Sequence, residues 1–541
     1  MRMKVGVWFT VTVIVLLIAG GVLLLNRSAS GPGAMSTGSQ QASGGKGSGT
    51  ALDLALQERN KPEEPCPSEL AHPEWRKAQK IDGVDIEADP SCLPDNPVDV
   101  AAVVKGTNNV NMMLLMQQTR LANDAVIKGA DLDGDGDPDE IEIRLEVVEL
   151  NGFDPDNPIP SLEYMIAPGI TPGLWVFAPK TRGMAFTNFL SNKALPILRL
   201  PSPVIRVEQG DHVKITLENT HYFPHTIHLH GVDHPFKQSS GQGNDGVPSI
   251  SGPAVMPGKQ RTYEITPRQP GTFYYHCHVQ PQTHILMGLA GMFVVEPNRP
   301  NNWLQTLNIG AGRVRHRSVS SREAYDREYD MVYQDMDKQL HSIIQQSNDV
   351  RRIAKAMNRE YKISERTPDY YLLNGHSFPF TIRDSLLIVK PDQKVKLRVL
   401  NAASEPLFLH THGHKPTVTY VDGVALAEPV MRDVVEVGPA QRVDMVLNTT
   451  NDGLHSYGPG AWILHNHHEP GVTTDGIAPG GDIDLTVYES FLDENGLPKT
   501  AGDLTLLFDP AYWRGEIPVW GSMDANLYGE PKGRGGDNAG K

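Results

Sequence analysis

Four His-x-His pairs constrain this chain more than any other feature: His228-Leu-His230, His276-Cys277-His278, His410-Thr-His412 and His465-Asn466-His467. Side chains at i and i+2 of a strand share a face, so each pair can turn two imidazoles toward one metal centre. A single such pair is commonly an accident of surface or core. Four pairs, two per half of a repeat in which His228 and His410 stand 182 residues apart, are not. Eight neutral imidazoles, without carboxylates or further cysteines, suit copper and fit zinc or iron–sulfur sites poorly. Cys277 points to the face opposite His276 and His278, where it can bind a different metal. His225 and His284 are the available partners, and a His2Cys set is the blue-copper arrangement.

The surroundings of these pairs are β-like. Pro203 to Asn219 contains two strand runs about a Gly210-Asp211 turn, and a matching pattern runs from Leu386 through Gln393 to Asn401. Gly (51) and Pro (42) together make about 17% of the 541 residues, which suits a turn-rich β protein and excludes a bundle of long helices. That length argues for three or four units at roughly 100–200 residues each. The polar, Gly-free stretch 338–359 is expected to be a helical insertion near the start of the second β-domain. With 49 basic against 64 acidic residues the net charge is −15, which argues against a nucleic-acid partner. Three cysteines exclude a disulfide-stapled scaffold.

Arg2 and Lys4 precede an uncharged run from Val5 to Leu25, long enough to cross a hydrocarbon core as a helix. We expect an exported protein, periplasmic or at the cell surface, held to the membrane by residues 5–25 within a segment 1–27. A cleaved signal peptide is the rival, because Ser28-Ala29-Ser30 is small-residue sequence. Residues 28–50 read as a Gly/Ser linker. Cys66 and Cys92 are placed to close a loop of about 26 residues, worth about 3 kcal/mol in the chain-entropy model. Residues 51–168 carry no assignable fold, but Asp131, Asp133, Asp135, Asp137, Asp139 and Glu142, with Gly136 at the sixth position, match a calcium loop of oxygen ligands. Pro138 departs from the aliphatic residue expected there. Ile141 to Val147 alternates like a strand, so one structural calcium is expected rather than a paired EF-hand sensor.

The motifs Pro224-His-Thr-Ile-His-Leu-His-Gly231, Asn244-Asp-Gly-Val-Pro-Ser-Ile250, Pro257-Gly258, Gly271-Thr-Phe-Tyr-Tyr-His-Cys-His278, Leu409-His-Thr-His-Gly-His414 and Leu464-His-Asn-His467 resemble those of the multicopper oxidases, in their small two-cupredoxin, laccase-like form. The resemblance covers about residues 170–495. It implies an all-β fold of two cupredoxin-like Greek-key sandwiches, 169–300 and 326–497, with a connector at 301–325 and a tail at 498–541.

The resemblance also implies four coppers per functional unit. His225, Cys277 and His284 would form the type 1 site, with Leu289 in the axial position and Met287 as the chemically tempting neighbour. His228 and His410 would hold type 2. His230, His276, His278, His412, His465 and His467 would hold the type 3 pair. Leu407, Asn466 and Thr473 stand where a second type 1 site would need its ligands, so only the first domain has one. His284 would be the solvent-facing point of electron entry, and Asp245 would deliver protons.

The implied activity is one-electron oxidation of a small substrate, a phenol or low-valent metal ion, coupled to four-electron reduction of dioxygen to water. The cluster would be completed between subunits of a homotrimer. A copper nitrite reductase is the nearest alternative, and a non-catalytic copper-binding or sequestering protein is the alternative outside enzymology. The substrate is not legible; apart from Met112-Met113-Leu-Leu-Met116 there is no Met-rich run.

Overall fold

A computed structural model describes residues 125–154, 162–180, 198–298, 306–314, 325–493, 496–499, 504–514 and 516, with the backbone of two short paired strands, β1 Gln79–Ile81 and β2 Val84–Ile86. The run 5–25, the linker 28–50, Cys66, Cys92, Met112 to Met116 and most of the tail lie outside the described residues. Among the described residues no helix is long and apolar enough to cross a membrane. The chain divides into a unit of residues 50–498 and a second of residues 1–49 with 499–541. In the second, the turn of helix Pro510–Trp513 is capped by Asp509, whose carboxylate accepts from the Ala511 N–H. Both β-domains lie within residues 50–498.

Period-two alternation builds the first domain. Its strands are β3 Val126–Lys128, β4 Glu140–Leu150, β5 Leu174–Pro179, β6 Val204–Glu208, β7 His212–Glu218, β8 His228–His230, β9 Gln260–Ile265, β10 Gly271–His276, β11 Ala290–Glu296 and β12 Thr306–Asn308. They form one sheet in the order β3-β4-β7-β9, with β5 on β4, and another in the order β12-β6-β11-β10-β8. Ile141, Ile143 and Leu145 of β4 and Val213, Ile215 and Leu217 of β7 are buried in the core between the sheets. Burying each such side chain contributes about 1.5–3 kcal/mol.

The second domain comprises β13 Gly312–Val314, β14 Arg327–Met336, β15 Tyr370–Leu373, β16 Leu387–Val389, β17 Lys394–Asn401, β18 Leu407–Thr411, β19 Thr417–Val421, β20 Val424–Met431, β21 Val434–Val437, β22 Arg442–Asn448, β23 Ala461–Asn466 and β24 Asp484–Tyr488. One sheet runs β13-β14-β17-β22-β19-β20 with β15 on β14, the other β16-β24-β23-β18-β21. The pairings of the first domain recur. Parallel β14/β17 answers β4/β7, parallel β16/β24 answers β6/β11, and antiparallel β18/β23 answers β8/β10. Both domains are cupredoxin-like sandwiches.

Two boundaries differ from the sequence expectation. The first domain does not begin at 169: β3 and β4 belong to its sheet, because β4 pairs with β7 from Glu140↔His212 to Glu146↔Glu218. Sequence likeness stops short of β4 because that strand carries no ligand motif. Within the expected connector 301–325, β12 pairs with β6 and β13 with β14, so each domain takes a strand from it. The insertion is helical as expected, with helices Lys338–Gln346 and Val350–Lys355 capped by Asp337 and Asp349.

The sheet carrying β6, β11 and β10 packs on β14 and β17 through Val204, Tyr274, Met292 and Val294 against Val332 and Leu400. A buried charge network lies in the same interface. Arg206 Nη2 donates to both carboxylate oxygens of Asp330 at 2.9 Å, and its Nη1 donates to Glu296 and, at 3.2 Å, to Glu328. Arg398 donates to Glu328, to Asp444 at 3.1 Å and to Thr272 Oγ1 at 2.9 Å. All these charged side chains are at most 5% exposed. Removing one partner strands the others away from water, which costs about 3–5 kcal/mol. Arg398→Ala should therefore lower stability in denaturant unfolding by about that much, while Arg398→Met combined with Glu328→Leu should lose less than Arg398→Ala alone. Equal stability of Arg398→Ala and the parent would show that the network holds nothing.

Candidate metal centre

Register places the histidines. In β8/β10, His228 stands opposite His276 and Leu229 opposite Tyr275. The ring centroid of His228 lies 5.1 Å from those of His230 and His278 and 5.4 Å from that of His276. In β18/β23, His410 stands opposite His465. Its ring lies 4.7, 5.4 and 5.6 Å from His412, His465 and His467. All eight expected residues thus gather into two tetrads. Ring contacts run within each tetrad, and among the described residues none joins the two. His412 is exposed and the His467 side chain is 51% exposed, whereas the first tetrad is half-buried to buried.

The tautomers follow from the hydrogen bonds. His228 Nδ1 lies 2.7 Å from the Asp245 carbonyl and His276 Nδ1 2.9 Å from the Cys277 carbonyl. His410 Nδ1 lies 3.2 Å from the Asp433 carbonyl and His465 Nδ1 2.9 Å from the Asn466 carbonyl. A carbonyl can only accept, so each Nδ1 carries the proton and each Nε2 keeps a lone pair. His230 Nε2 and His276 Nε2 meet at 2.8 Å, and His412 Nε2 and His465 Nε2 at 3.2 Å. Burial, then neighbouring imidazoles, pushes His230 and His412 down to about 4. Burial pushes His276 down to about 3. Neutral imidazole is the metal-binding form.

On the other side of β10, Cys277 faces into the sandwich and is fully buried. Its Sγ lies 3.6 Å from His225 Nδ1 and 3.4 Å from His284 Nδ1, so this expected trio converges. Burial pushes the Cys277 thiol up to about 11 and His284 down to about 3. Met287 and Leu289 are both fully buried in the same core, and the Cys277 N–H donates to the Leu289 carbonyl at 3.0 Å.

His284 is not solvent-facing as expected; it is 3% exposed. Trp175, from a strand (β5) that the sequence left unattached to a site, meets it edge-on at 5.2 Å. Gly288, at φ +116°, lets the loop pass beneath Trp175, whose carbonyl oxygen would lie 2.5 Å from any Cβ there. In the second domain Leu407 is buried, and the Asn466 amide Nδ2 donates to Asp482 at 3.3 Å. Among the described residues no metal-ligating trio forms at Leu407, Asn466 and Thr473.

Asp245 lies beside the first tetrad, its Oδ1 3.3 Å from His228 Nδ1 and 3.3 Å from His234 Nε2. The Asp245-Gly246 turn is pressed against the entry to β8: a Cβ on Gly246 would lie 1.9 Å from the Ile227 oxygen. Sequence reasoning misses His234 and Asp433. His234 is no part of a His-x-His pair, and Asp433 precedes no Gly, so neither carries a signal.

Of the expected calcium residues, Asp131, Asp133 and Asp139 converge. Asp135, pushed up to about 7 by burial and by its acidic neighbours Asp133 and Asp139, lies beside them. Asp137 is buried in the same turn. Glu142 does not join the three. It lies inside β4, paired with Ile127 and Lys214, because the strand begins at Glu140, before the twelfth loop position is reached.

Residues 198–300 and 337–474 each match a multicopper oxidase family model. These segments hold the buried Cys277 trio and both tetrads. The chain belongs to the multicopper oxidases. It is 28% identical over 255 residues to an iron transport multicopper oxidase of Gibberella zeae, covering 47% of this chain and 35% of that protein. It is 24% identical over 266 residues to copper resistance protein A of Pseudomonas syringae, covering 46% of this chain and 42% of that one. A solved multicopper oxidase structure, mgLAC, aligns with TM-score 0.47 at 26% identity over 64% of this chain and 86% of its own. This multicopper oxidase spans less than half the length of the curated relatives it matches.

Proposed function

We propose that this multicopper oxidase couples one-electron oxidation of a small reducing substrate, a phenol or a low-valent metal ion, to four-electron reduction of dioxygen to water. One observation carries the proposal: a buried His2Cys trio and a histidine tetrad meet on the tripeptide His276-Cys277-His278. His225, Cys277 and His284 would hold type 1 copper, with Leu289 axial. His228 and His410 would hold type 2, and His230, His276, His278, His412, His465 and His467 the type 3 pair, four coppers in all. Copper at these positions supplies one-electron acceptance at the sulfur site and dioxygen reduction at the histidine sites. Loading would release the Cys277 proton, while burial already holds His225, His230, His276, His284 and His412 below the ordinary imidazole range and so neutral. Asp245, within reach of both His228 and His234, would carry protons to the first tetrad.

Each chain offers two separate tetrads, the second with His412 and His467 exposed, which supports completion of the cluster between copies in a homotrimer. A nitrite reductase needs only a mononuclear type 2 site and would not keep both members of every His pair. The relatives' names point to iron transport, copper resistance and laccase activity, so the reducing substrate stays a class. The run Val5 to Leu25 supports export and membrane attachment. The aspartates at 131, 133, 135 and 139 support one structural calcium, on hard oxygen donors remote in chemistry from the copper ligands.

Oxygen uptake with a phenol or ferrous salt, compared with nitrite reduction, tests the activity directly. Cys277→Ser should abolish both the visible thiolate charge-transfer band and oxidase turnover while most tetrad copper remains; a variant that stays blue would overturn the type 1 assignment. Leu289→Met should lower the potential of that band, because a thioether favours the cupric state, and Met287→Leu should change it little. The reverse pattern transfers the axial role to Met287. Chelation should lower thermal stability without changing copper content, and an Asp131→Ala/Asp135→Ala variant should lose its response to calcium. If the parent melts identically with and without calcium, the cation site is wrong.

A further inference from the structure

His225 has two ring nitrogens, and only Nδ1 faces Cys277. Its Nε2 lies 2.8 Å from Nδ1 of His221, four residues earlier in the turn after β7. His221 is 5% exposed, wedged between the rings of Tyr222 at 3.9 Å and Trp175 at 4.9 Å. The backbone decides which nitrogen carries the proton. The Phe223 N–H donates to His221 Nδ1 at 3.3 Å, so that nitrogen is an acceptor and the proton sits on His221 Nε2. His225 Nε2–H must then be the donor between the two rings, and His225 Nδ1 is left bare toward the sulfur.

The outer end of this chain faces a carboxylate. His221 Nε2 is buried without a hydrogen-bond partner and lies 3.8 Å from Glu149 Oε2. Glu149 is held by the Trp175 indole N–H at 3.0 Å and by the Tyr222 hydroxyl. Glu149 comes from β4 and Trp175 from β5, the strands that precede the segments matched by the family models.

We propose that His221 is a positioning residue for the type 1 site. It selects the His225 tautomer that presents Nδ1 to the metal, and it accepts the His225 Nε2–H so that the imidazole becomes a stronger donor. The proposal rests on the type 1 assignment above. Ligands to a metal ordinarily hand their second N–H to a carboxylate, carbonyl or water, and these partners set ligand basicity. Here a second histidine, backed by Glu149, takes that place. A stronger donor favours the cupric state, so losing the acceptor should raise the reduction potential.

Three variants and one metal-free measurement test this. His221→Phe removes the acceptor and keeps a ring in the slot; the Cu(II)/Cu(I) equilibrium should shift about tenfold toward Cu(I), about 59 mV for a one-electron couple. His221→Asn restores an acceptor near the Nδ1 position and should return most of that shift. Glu149→Gln should move the potential in the same direction by less. In the metal-free parent, imidazole nitrogen resonances should show His225 protonated at Nε2 and bare at Nδ1. Potentials equal to the parent in His221→Phe, with the blue band retained, would overturn the proposal, as would a parent His225 protonated at Nδ1. Should His221→Phe fail to fold, the nitrogen spectrum of the parent still decides the tautomer. A copper-loaded parent without a thiolate band would instead sink the type 1 assignment itself.

Discussion

Strand register is the constraint on which the metal positions depend. Opposing His228 to His276 and His410 to His465 turns the imidazoles to one face of each sheet, and the same alternation sends Cys277 to the other. A slip of one residue would exchange the two faces and leave no site at all. The register is held from the inside. Leu229, Phe273 and Tyr275 lie in the first core, Leu409 and Leu464 in the second, all at most 5% exposed. Tyr275 adds a lock, its hydroxyl donating to the Pro203 carbonyl at 2.7 Å. Apolar burial thus fixes the geometry, and the ligands ride on it.

The ligands are legible in the sequence because period-two geometry needs no tertiary information: His-x-His on a strand is already a pair on one face. The strand runs about Gly210-Asp211 and around Gln393 are equally plain. What sequence does not reveal comes from the other side of the sandwich. β4 reads as a strand in isolation, but nothing in Glu140 to Leu150 says that it lies along β7. His284 is buried and packs against Trp175, more than 100 residues away, and no local pattern announces such a contact. Glu142 misleads for the opposite reason. The loop spacing fits, but the strand starting at Glu140 takes that residue out of the loop.

The two domains divide the labour while sharing a plan. In the first, the buried end of the β10 hairpin holds a thiol and two imidazoles. In the second, the equivalent space holds Leu407 and an Asn466–Asp482 pair, with burial pushing Asp482 up to about 7. An amide bonded to an acid is a satisfied polar core, and it needs no metal to be stable. The seam between the domains is likewise polar, with Arg206 and Arg398 bridging acids from both. Such a seam contributes less to raw stability than apolar packing would, and its cost appears when one partner is removed and the others are left buried without it.

The packing around His284 has a consequence for the geometry of the buried trio. The imidazole meets the Trp175 indole edge-on, and that indole in turn contacts Tyr222 and donates its N–H to Glu149. A ring enclosed by packed aromatic side chains has little room to move, so the spacing of the trio is set by the fold itself.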